Sequence, residues 1–511
     1  MMQMITVHVE SAIHELPYST PVLLADVLER LQISLSMPCA GNHTCGKCKV
    51  RAYGSLFPLL EEEKRLLSIE EQLGNVRLAC CAIATGGCMV YVDLPKSVLV
   101  QTEGRSVRRD DISPFGKSGW ALAADIGTTT VAVYLIDLSK SDTDKPPAVS
   151  GLNAQARYGA DVISRIAKCA EIGIKPLQDA ILYQLDGLFC DLLHKRGLPE
   201  KAVKGVVLTG NTTMLHLLSG LDPSGIAAAP FIPQSLFGVM YDARRLFACL
   251  PPATPVYLAP CISAYVGGDI VCSLLTCDLK QNDLLIDVGT NGEMALMTES
   301  GLLCCSTAAG PAFEGAGLQC GMLAADGAIN VVAAVDGHIH YKAVGDAPPI
   351  GICGTGIISA VAAMLELGAI DETGLLADEY NGVFPIGDSG VVITQQDVRQ
   401  IQLAKSAVAA GIDALLYHAK LEYAQVGTLY LAGGFGSCID PESAARIGLI
   451  PRELSERVTH AGNAAGLGAC LCASSESALE DADTLSKAAQ TLELSGDAYF
   501  NERYIEQMLF P

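Results

Sequence analysis

Apolar and polar positions alternate from the start of the chain. Residues 4–10 run at period two and predict a strand, residues 13–16 its return, and residues 49–53 and 89–94 two further strands. Residues 21–33 space their apolar side chains at helical intervals and predict an amphipathic helix. After residue 97 the pattern changes. Residues 101–119 hold Arg105, Arg108, Arg109, Asp110, Asp111, Pro114 and glycines with little apolar periodicity, which reads as a linker. Residues 120–136 then form two apolar strands joined by the turn Asp125-Ile126-Gly127-Thr128-Thr129-Thr130. Residues 284–296 repeat that plan around Asp287-Val288-Gly289-Thr290-Asn291-Gly292-Glu293, which indicates an internal duplication. A third apolar strand, beginning at Leu429, ends in Gly433, Gly434 and Gly436. The most apolar stretch, residues 256–277, is interrupted by Pro260, Gly267, Gly268 and Asp269, so it predicts a strand, a loop and a buried helix and not a membrane span. These changes divide the chain into residues 1–97, a linker 98–119, lobes 120–280 and 281–473, and a C-terminal segment 474–511.

With 511 residues the chain can bury large cores, and 50% hydrophobic content with 50 glycines suits an α/β multidomain protein. A net charge of −22 argues against nucleic acid or an anionic membrane as partner. The start runs directly into an alternating strand, which predicts no signal peptide. In that setting 19 cysteines read as reduced thiols in a cytoplasm, and Cys169, Cys272 and Cys320 read as small buried hydrophobes.

Four cysteines differ from the rest. Cys39, Cys45 and Cys48 stand in the loop P-C-A-G-N-H-T-C-G-K-C-K, and Cys80 follows in R-L-A-C. Three thiols in one tight loop with a distant fourth is the spacing a [2Fe–2S] cluster requires. Gly41 and Gly46 let backbone N–H groups turn toward the sulfurs. Cys45 and Cys48 alone would also serve as a zinc half-site or a redox pair. With the predicted strands, the first 97 residues read as a β-grasp ferredoxin and resemble adrenodoxin-type [2Fe–2S] ferredoxins. Cys81, beside Cys80, leaves the fourth ligand ambiguous by one residue.

The two Asp-x-Gly-Thr turns carry the chemistry of phosphate and Mg2+. Gly127 and Gly289 leave room for phosphate oxygens against backbone N–H groups, and Thr128, Thr129, Thr130, Thr290 and Asn291 offer hydrogen bonds. Asp125 and Asp287 suit a hydrated Mg2+. Gly433 and Gly434 let the backbone approach a flat nucleoside. Gly354, in Gly351-Ile-Cys-Gly354-Thr-Gly356, belongs either to a further phosphate loop or to a helix start packed through glycine. Glu314, in a small-residue run at 306–317, reads as a water-positioning carboxylate or as a solvated loop residue. Asn211, after a strong strand at 206–209, either touches the nucleotide or caps the next helix.

The order of these motifs resembles the acetate and sugar kinase, Hsp70 and actin superfamily. That resemblance implies two ribonuclease-H-like lobes with ATP and Mg2+ between them, and it makes residues 462–469, G-N-A-A-G-L-G-A, the helix packed across the hinge. A ferredoxin head before such an ATPase resembles the reductive activators of corrinoid proteins. The likeness extends to D-V-I-S-R-I at 161–166, C-S-T-A-A-G-P-A-F-E-G at 305–315, R-Q-I-Q-L-A-K-S-A at 399–407 and L-S-G-D-A-Y-F at 494–500. It implies ATP-dependent transfer of one electron from a [2Fe–2S] cluster to Co(II), giving Co(I) for methyl transfer. The implied partners are the corrinoid protein of a methyltransferase system and an external low-potential electron donor, and a homodimer stays open. Longer members insert a small domain where this chain has only its short linker, so the role of that insert does not carry over. Asp336-Gly-His338 half matches a cobalamin-binding signature, but Tyr341 replaces its glycine, and a turn between strands 329–335 and 338–343 is the simpler reading. Two alternatives remain: an ATP-dependent donor to another low-potential enzyme, and a small-molecule kinase fused to a ferredoxin.

Overall fold

The computed structural model describes every residue except 1, 10, 11, 20, 32, 34, 36, 38, 94–99, 106, 108, 110, 140–144 and 435. The predicted strand ends at Glu10 and Leu94, and Arg108 and Asp110 of the predicted linker, lie outside the described residues. The chain forms two compact units, Met1–Ser97 with Ala154–Glu171, and Val98–Asn153 with Ile172–Pro511.

In the first unit the strands stand in the order Ala12–Ser19, Met2–Val9, Ile83–Val92, Lys49–Leu56, Val76–Leu78, and Val22–Leu23 also pairs with Ile83–Val92. Met2–Val9 and Ile83–Val92 run parallel while their other neighbours are antiparallel, the arrangement of a β-grasp. The alternation seen in the sequence buries Ile5, Val7, Val50, Ala52 and Val90 on one face, and the helix Leu24–Arg30 covers them with Leu24, Val27 and Leu28. That helix is shorter than the predicted 21–33. Val22 and Leu23 pair with Ala84 and Ile83 as strand instead, because their amides complete a sheet edge that a helix would leave open.

A buried ion pair fixes the far edge of this sheet. Glu63 is fully buried and takes both Arg77 Nε, at 2.8 Å, and Nη2, at 2.7 Å, and its carboxylate also accepts the Leu78 and Leu60 N–H groups. Burial raises the Glu63 pKa, but the hydrogen bonds from Arg77 and those two amides outweigh it and hold the carboxyl below its usual value.

The second unit holds two six-stranded sheets that share a five-stranded topology. The first runs Val239–Asp242, Pro255–Leu258, Val203–Gly210, Trp120–Ile126, Thr130–Asp137, Ala148–Leu152, and the second Val458–Gly462, Leu429–Ala432, Leu284–Val288, Gly292–Thr298, Gly301–Thr307, Gln490–Thr491. In each, an antiparallel three-strand meander is followed by two strands parallel to its first member, so five strands stand in the ribonuclease-H-like order. The duplication read from the turns therefore extends through whole lobes.

The apolar stretch at 256–277 resolves into the strand Pro255–Leu258, a loop, and the helix Gly268–Cys277. Among the described residues no helix is long and apolar enough to cross a membrane. The small-residue run becomes the helix Ala464–Ser474, which packs on Gly268–Cys277 so closely that a Cβ on Gly468 would stand 2.0 Å from the Cys272 carbonyl oxygen. Asp336 and Gly337 adopt φ of 51° and 78° in the turn between Ala328–Val335 and His338–Ala343, so the half-matched cobalamin signature is a hairpin. Cys272 is buried as expected, but Cys169 and Cys320 are partly exposed.

Where composition reads as a linker, the described residues form a strap on this unit. Arg109 pairs with Asp481 at 2.7 Å, the Ser113 hydroxyl donates to the Ala473 carbonyl, and Asp111 accepts from Ser475 and Ser477. Among the described residues, Arg105, Arg109 and Asp111 of this segment have fixed partners in the same unit.

Glu63→Gln is expected to cost about 3–5 kcal/mol of local stability at neutral pH, because Arg77 is left buried without its charge partner. Since the folded Glu63 pKa is depressed, this contribution is present above the unfolded value and is lost as pH falls through the folded one. Thermal melts of both proteins should therefore converge in acid; a gap that persists or widens there contradicts the assignment.

Candidate functional site

Cys39, Cys45 and Cys48 come from the loop before Lys49–Leu56, and Cys80 from the turn after Val76–Leu78. Gly41 and Gly46 take φ of +83° and +65°, the left-handed turns that wrap the loop back on itself. The Ala79 N–H donates to the Cys48 carbonyl at 2.8 Å, which sets the two chain segments side by side.

The sulfurs stand in two pairs, Cys39 with Cys45 at 3.3 Å and Cys48 with Cys80 at 3.3 Å. Two metal–sulfur bonds of ~2.3 Å at a tetrahedral angle span about 3.8 Å, so each pair is close to the spacing of two ligands on one metal. A hydrogen bond from the Cys45 thiol pulls Cys39 down to about 4, and Cys45 is pushed up in return. Cys48 is lowered by its bond with Cys80, whose own pKa rises. A metal would take each of these four sulfurs as a thiolate. The Cys81 sulfur lies 3.7 Å from that of Cys80, and burial pushes its thiol up to about 11. The His43 ring nitrogen and the sulfurs of Cys80 and Cys81 lie within 4.8 Å of one another, so a histidine the sequence did not single out also faces this pocket.

In the second unit one cleft of about 1060 Å³, open to solvent, gathers Asp125, Gly127, Thr128, Thr129, Thr130, Asp287, Gly289, Thr290, Asn291, Glu314, Gly354, Gly433 and Gly434. Asp125 ends the strand Trp120–Ile126 and Asp287 the equivalent strand Leu284–Val288, so the duplicated topology delivers one carboxylate from each lobe. Gly433, at φ +88°, cannot carry a side chain, since its Cβ would stand 2.3 Å from Asp287 Oδ1. Nothing lies within 4 Å of a Cβ built on Gly434, which faces open cleft. Glu314 joins the two phosphate-type turns, accepting hydrogen bonds from the Thr129 hydroxyl and, at 2.8 Å, from the Thr290 hydroxyl. Gly354 opens the helix Gly354–Glu366 and presents its positively polarised end to the cleft. Asn211 caps Thr212–Ser219, its Oδ1 accepting the Met214 N–H, and its Nδ2 donates to Thr128 Oγ1 at 3.0 Å.

Asp269, Glu293 and Asn463 also line this cleft, and the sequence reading gave none of them a role. Asp269 stands in the first turn of Gly268–Cys277, where the only signal was a carboxylate interrupting an apolar run. Glu293 pairs in register with Asp287, and Asn463 donates to Asp125 Oδ2 at 3.0 Å. Burial pushes Asp125 up to about 6, against the Asn463 hydrogen bond. Burial, with the charges of Asp125 and Glu314, lifts Asp287 to about 7, and burial with Asp287 and Asp125 lifts Asp269 to about 8. Glu293 is raised well above its usual value by burial, with the charges of Asp269 and Asp287 adding to it. Hard oxygen ligands that resist ionising together are the surroundings a divalent cation relieves.

The sequence model of the RACo middle region matches residues 120–282, and that of the C-terminal domain of RACo, the ASKHA domain, matches residues 281–511. The corrinoid activation enzyme RamQ of Eubacterium limosum is 32% identical over 418 residues, covering 76% of this chain and 70% of that protein. A Co(II) methylated amine-specific corrinoid protein reductase of Methanosarcina barkeri is 26% identical over 429 residues, 76% of this chain and 77% of its own. A solved reductive activator for corrinoid, iron-sulfur protein superposes with a TM-score of 0.69 at 27% identity, over 99% of this chain and 98% of that one. The chain therefore belongs to the family of reductive activators of corrinoid proteins, with an ASKHA-type ATPase built from its two duplicated lobes.

Proposed function

We propose that this chain couples ATP hydrolysis to the one-electron reduction of a corrinoid held by a partner protein, returning Co(II) to Co(I) for methyl transfer. The observation that carries this reading is the pairing, in one chain of this family, of the four-thiol loop with a cleft carrying one carboxylate from each lobe. In this reading Cys39 and Cys45 hold one iron of a [2Fe–2S] cluster and Cys48 and Cys80 the other. The cluster supplies single electrons, taken from an external low-potential donor.

In the cleft, Asp125 and Asp287 orient a hydrated Mg2+, which neutralises phosphate charge when bound. The amides and hydroxyls of residues 127–130 and 289–291 cradle the phosphates, the Gly354 helix end faces their negative charge, and the Gly433–Gly434 turn admits the nucleoside. Glu314, which accepts from Thr129 and Thr290, would position the attacking water. ATP does not energise the electron itself. Plant-type clusters sit near about −400 mV, and each ~59 mV of uphill transfer costs about 1.4 kcal/mol, so a corrinoid couple below that potential is reached only if nucleotide binding or hydrolysis favours a complex in which the cobalt is easier to reduce. The 19 cysteines suit a reducing compartment.

Cys80→Ala should abolish the visible iron–sulfur absorbance, whereas Cys81→Ala and His43→Ala should largely keep it; loss with Cys81→Ala and retention with Cys80→Ala moves the ligand by one residue. Asp287→Asn should lower ATP turnover by about 10²-fold or more, because it removes charge stabilisation at the transferring phosphoryl group. Phosphate release at the wild-type rate would refute that role. Finally, ATP hydrolysis should accelerate when a Co(II) corrinoid protein is added, and in Cys80→Ala that acceleration should persist while cobalt reduction is lost. Phosphate release that ignores the partner, in wild type and variant alike, would leave a plain ATPase or a kinase.

A further inference from the structure

The chain that follows the first unit enters the nucleotide-type cleft. Val100 and Gln101 line the same cleft as Asp125 and Asp287. Just beyond them the chain lies along Val458–Gly462, the edge strand of the second sheet. There the Asn463 N–H donates to the Glu103 carbonyl at 3.0 Å, Gly104 forms an antiparallel bridge with Gly462, and the Arg105 N–H donates to the Ala461 carbonyl at 3.2 Å. Only glycine permits this approach. A Cβ on Gly104 would stand 2.5 Å from the Ala461 oxygen, and one on Gly462 would stand 2.2 Å from the Glu103 oxygen. The Arg105 guanidinium then donates to the Cys277 carbonyl and the Tyr430 hydroxyl, each at 3.2 Å, binding the last turn of Gly268–Cys277 to the second sheet.

Asn463 joins this strap to the chemistry. Its Oδ1 caps Ala464–Ser474 by accepting the Gly466 N–H at 2.7 Å. Its Nδ2 has two hydrogens, and both are placed: one on Asp125 Oδ2 at 3.0 Å, the other on the Gln101 carbonyl at 3.3 Å. The residue is itself buried, so neither bond is exchanged freely with water.

We propose that Asn463 is a positioning residue that couples occupancy of the cleft to docking of the strap at residues 101–105, so that the nucleotide state sets how firmly the chain leaving the N-terminal unit is held. The proposal rests on the reading that Asp125 serves ATP and its Mg2+. A bound ligand shifts such an equilibrium only if it interacts differently with the docked and released strap. Two features supply that difference: Gln101 is part of the cleft wall, and the amide that holds it also holds the carboxylate that faces the ligand.

Limited trypsin digestion of the full chain tests this, read at the exposed Arg105 without nucleotide, with Mg·ADP, and with Mg and a non-hydrolysable ATP analogue, with nucleotide binding measured by calorimetry in the same preparations. In the wild type, cleavage after Arg105 should differ between the nucleotide-free and analogue-bound forms by on the order of tenfold, an ordinary coupling between sites. Asn463→Asp keeps an oxygen to cap the helix but loses both donors and adds a charge beside Asp125, so at analogue concentrations raised until calorimetry shows the site filled it should cleave at one rate in every state. Gly104→Ala displaces the strap with Asn463 intact and should give the same nucleotide-independent cleavage, which keeps the test valid if Asn463→Asp fails to fold. Nucleotide bound by the wild type with no change at Arg105 overturns the coupling and leaves the functional reading standing. Absence of nucleotide binding overturns the reading beneath it.

Discussion

Asp125 and Asp287 reach one cleft from equivalent strand ends, and the charge of Asp125 adds to the cost of ionising Asp287 there. Asp269 and Glu293 deepen the conflict, since each is lifted by burial and by the carboxylates around it. A protein gains nothing in stability by crowding acids in this way. The arrangement makes sense as a site completed by a cation and a phosphate chain, whose binding would release the strain and draw the two lobes onto one ligand. Duplication is the economical route to it. One Asp-x-Gly-Thr turn is an ordinary hairpin, but two copies of one topology that open on one cleft bring a carboxylate from each.

The seam beneath the cleft shows what that geometry demands. Gly268–Cys277 and Ala464–Ser474 cross with Gly468 against the Cys272 backbone, and Gly466 packs where a Cβ would stand 2.6 Å from the Tyr134 ring. Helices in such close contact leave little room for sliding. Asn463 lies at the start of one of these helices and touches Asp125, which places the helix seam, the carboxylate and the strap within one residue's reach.

The sequence discloses local chemistry and hides chemistry made by tertiary contact. The two Asp-x-Gly-Thr turns stand out because a carboxylate and a glycine between apolar strands break the pattern, and the thiol loop stands out by spacing. The topology of both lobes follows from the repeat. Asp269 hides inside an apolar stretch, because only the packing of its helix turns it toward Asp287. Asn463 looks like one small residue among many until the register of Val458–Gly462 brings it to Asp125. The strap hides for a different reason: charges without periodicity read as a linker, and nothing local shows that Arg109 and Asp111 have partners more than 360 positions away. The helix at 21–33 is shortened because its first residues serve a sheet edge better.

The account stands on ATP-dependence of the electron transfer. The direct measurement is anaerobic absorbance of the cobalt in a corrinoid protein partner, followed with reductant alone, ATP alone, and both. Co(I) is expected only when the chain, reductant and ATP are all present. Co(I) formed at the same rate and to the same extent without ATP would contradict the account, and would leave an electron carrier joined to an unrelated nucleotide site.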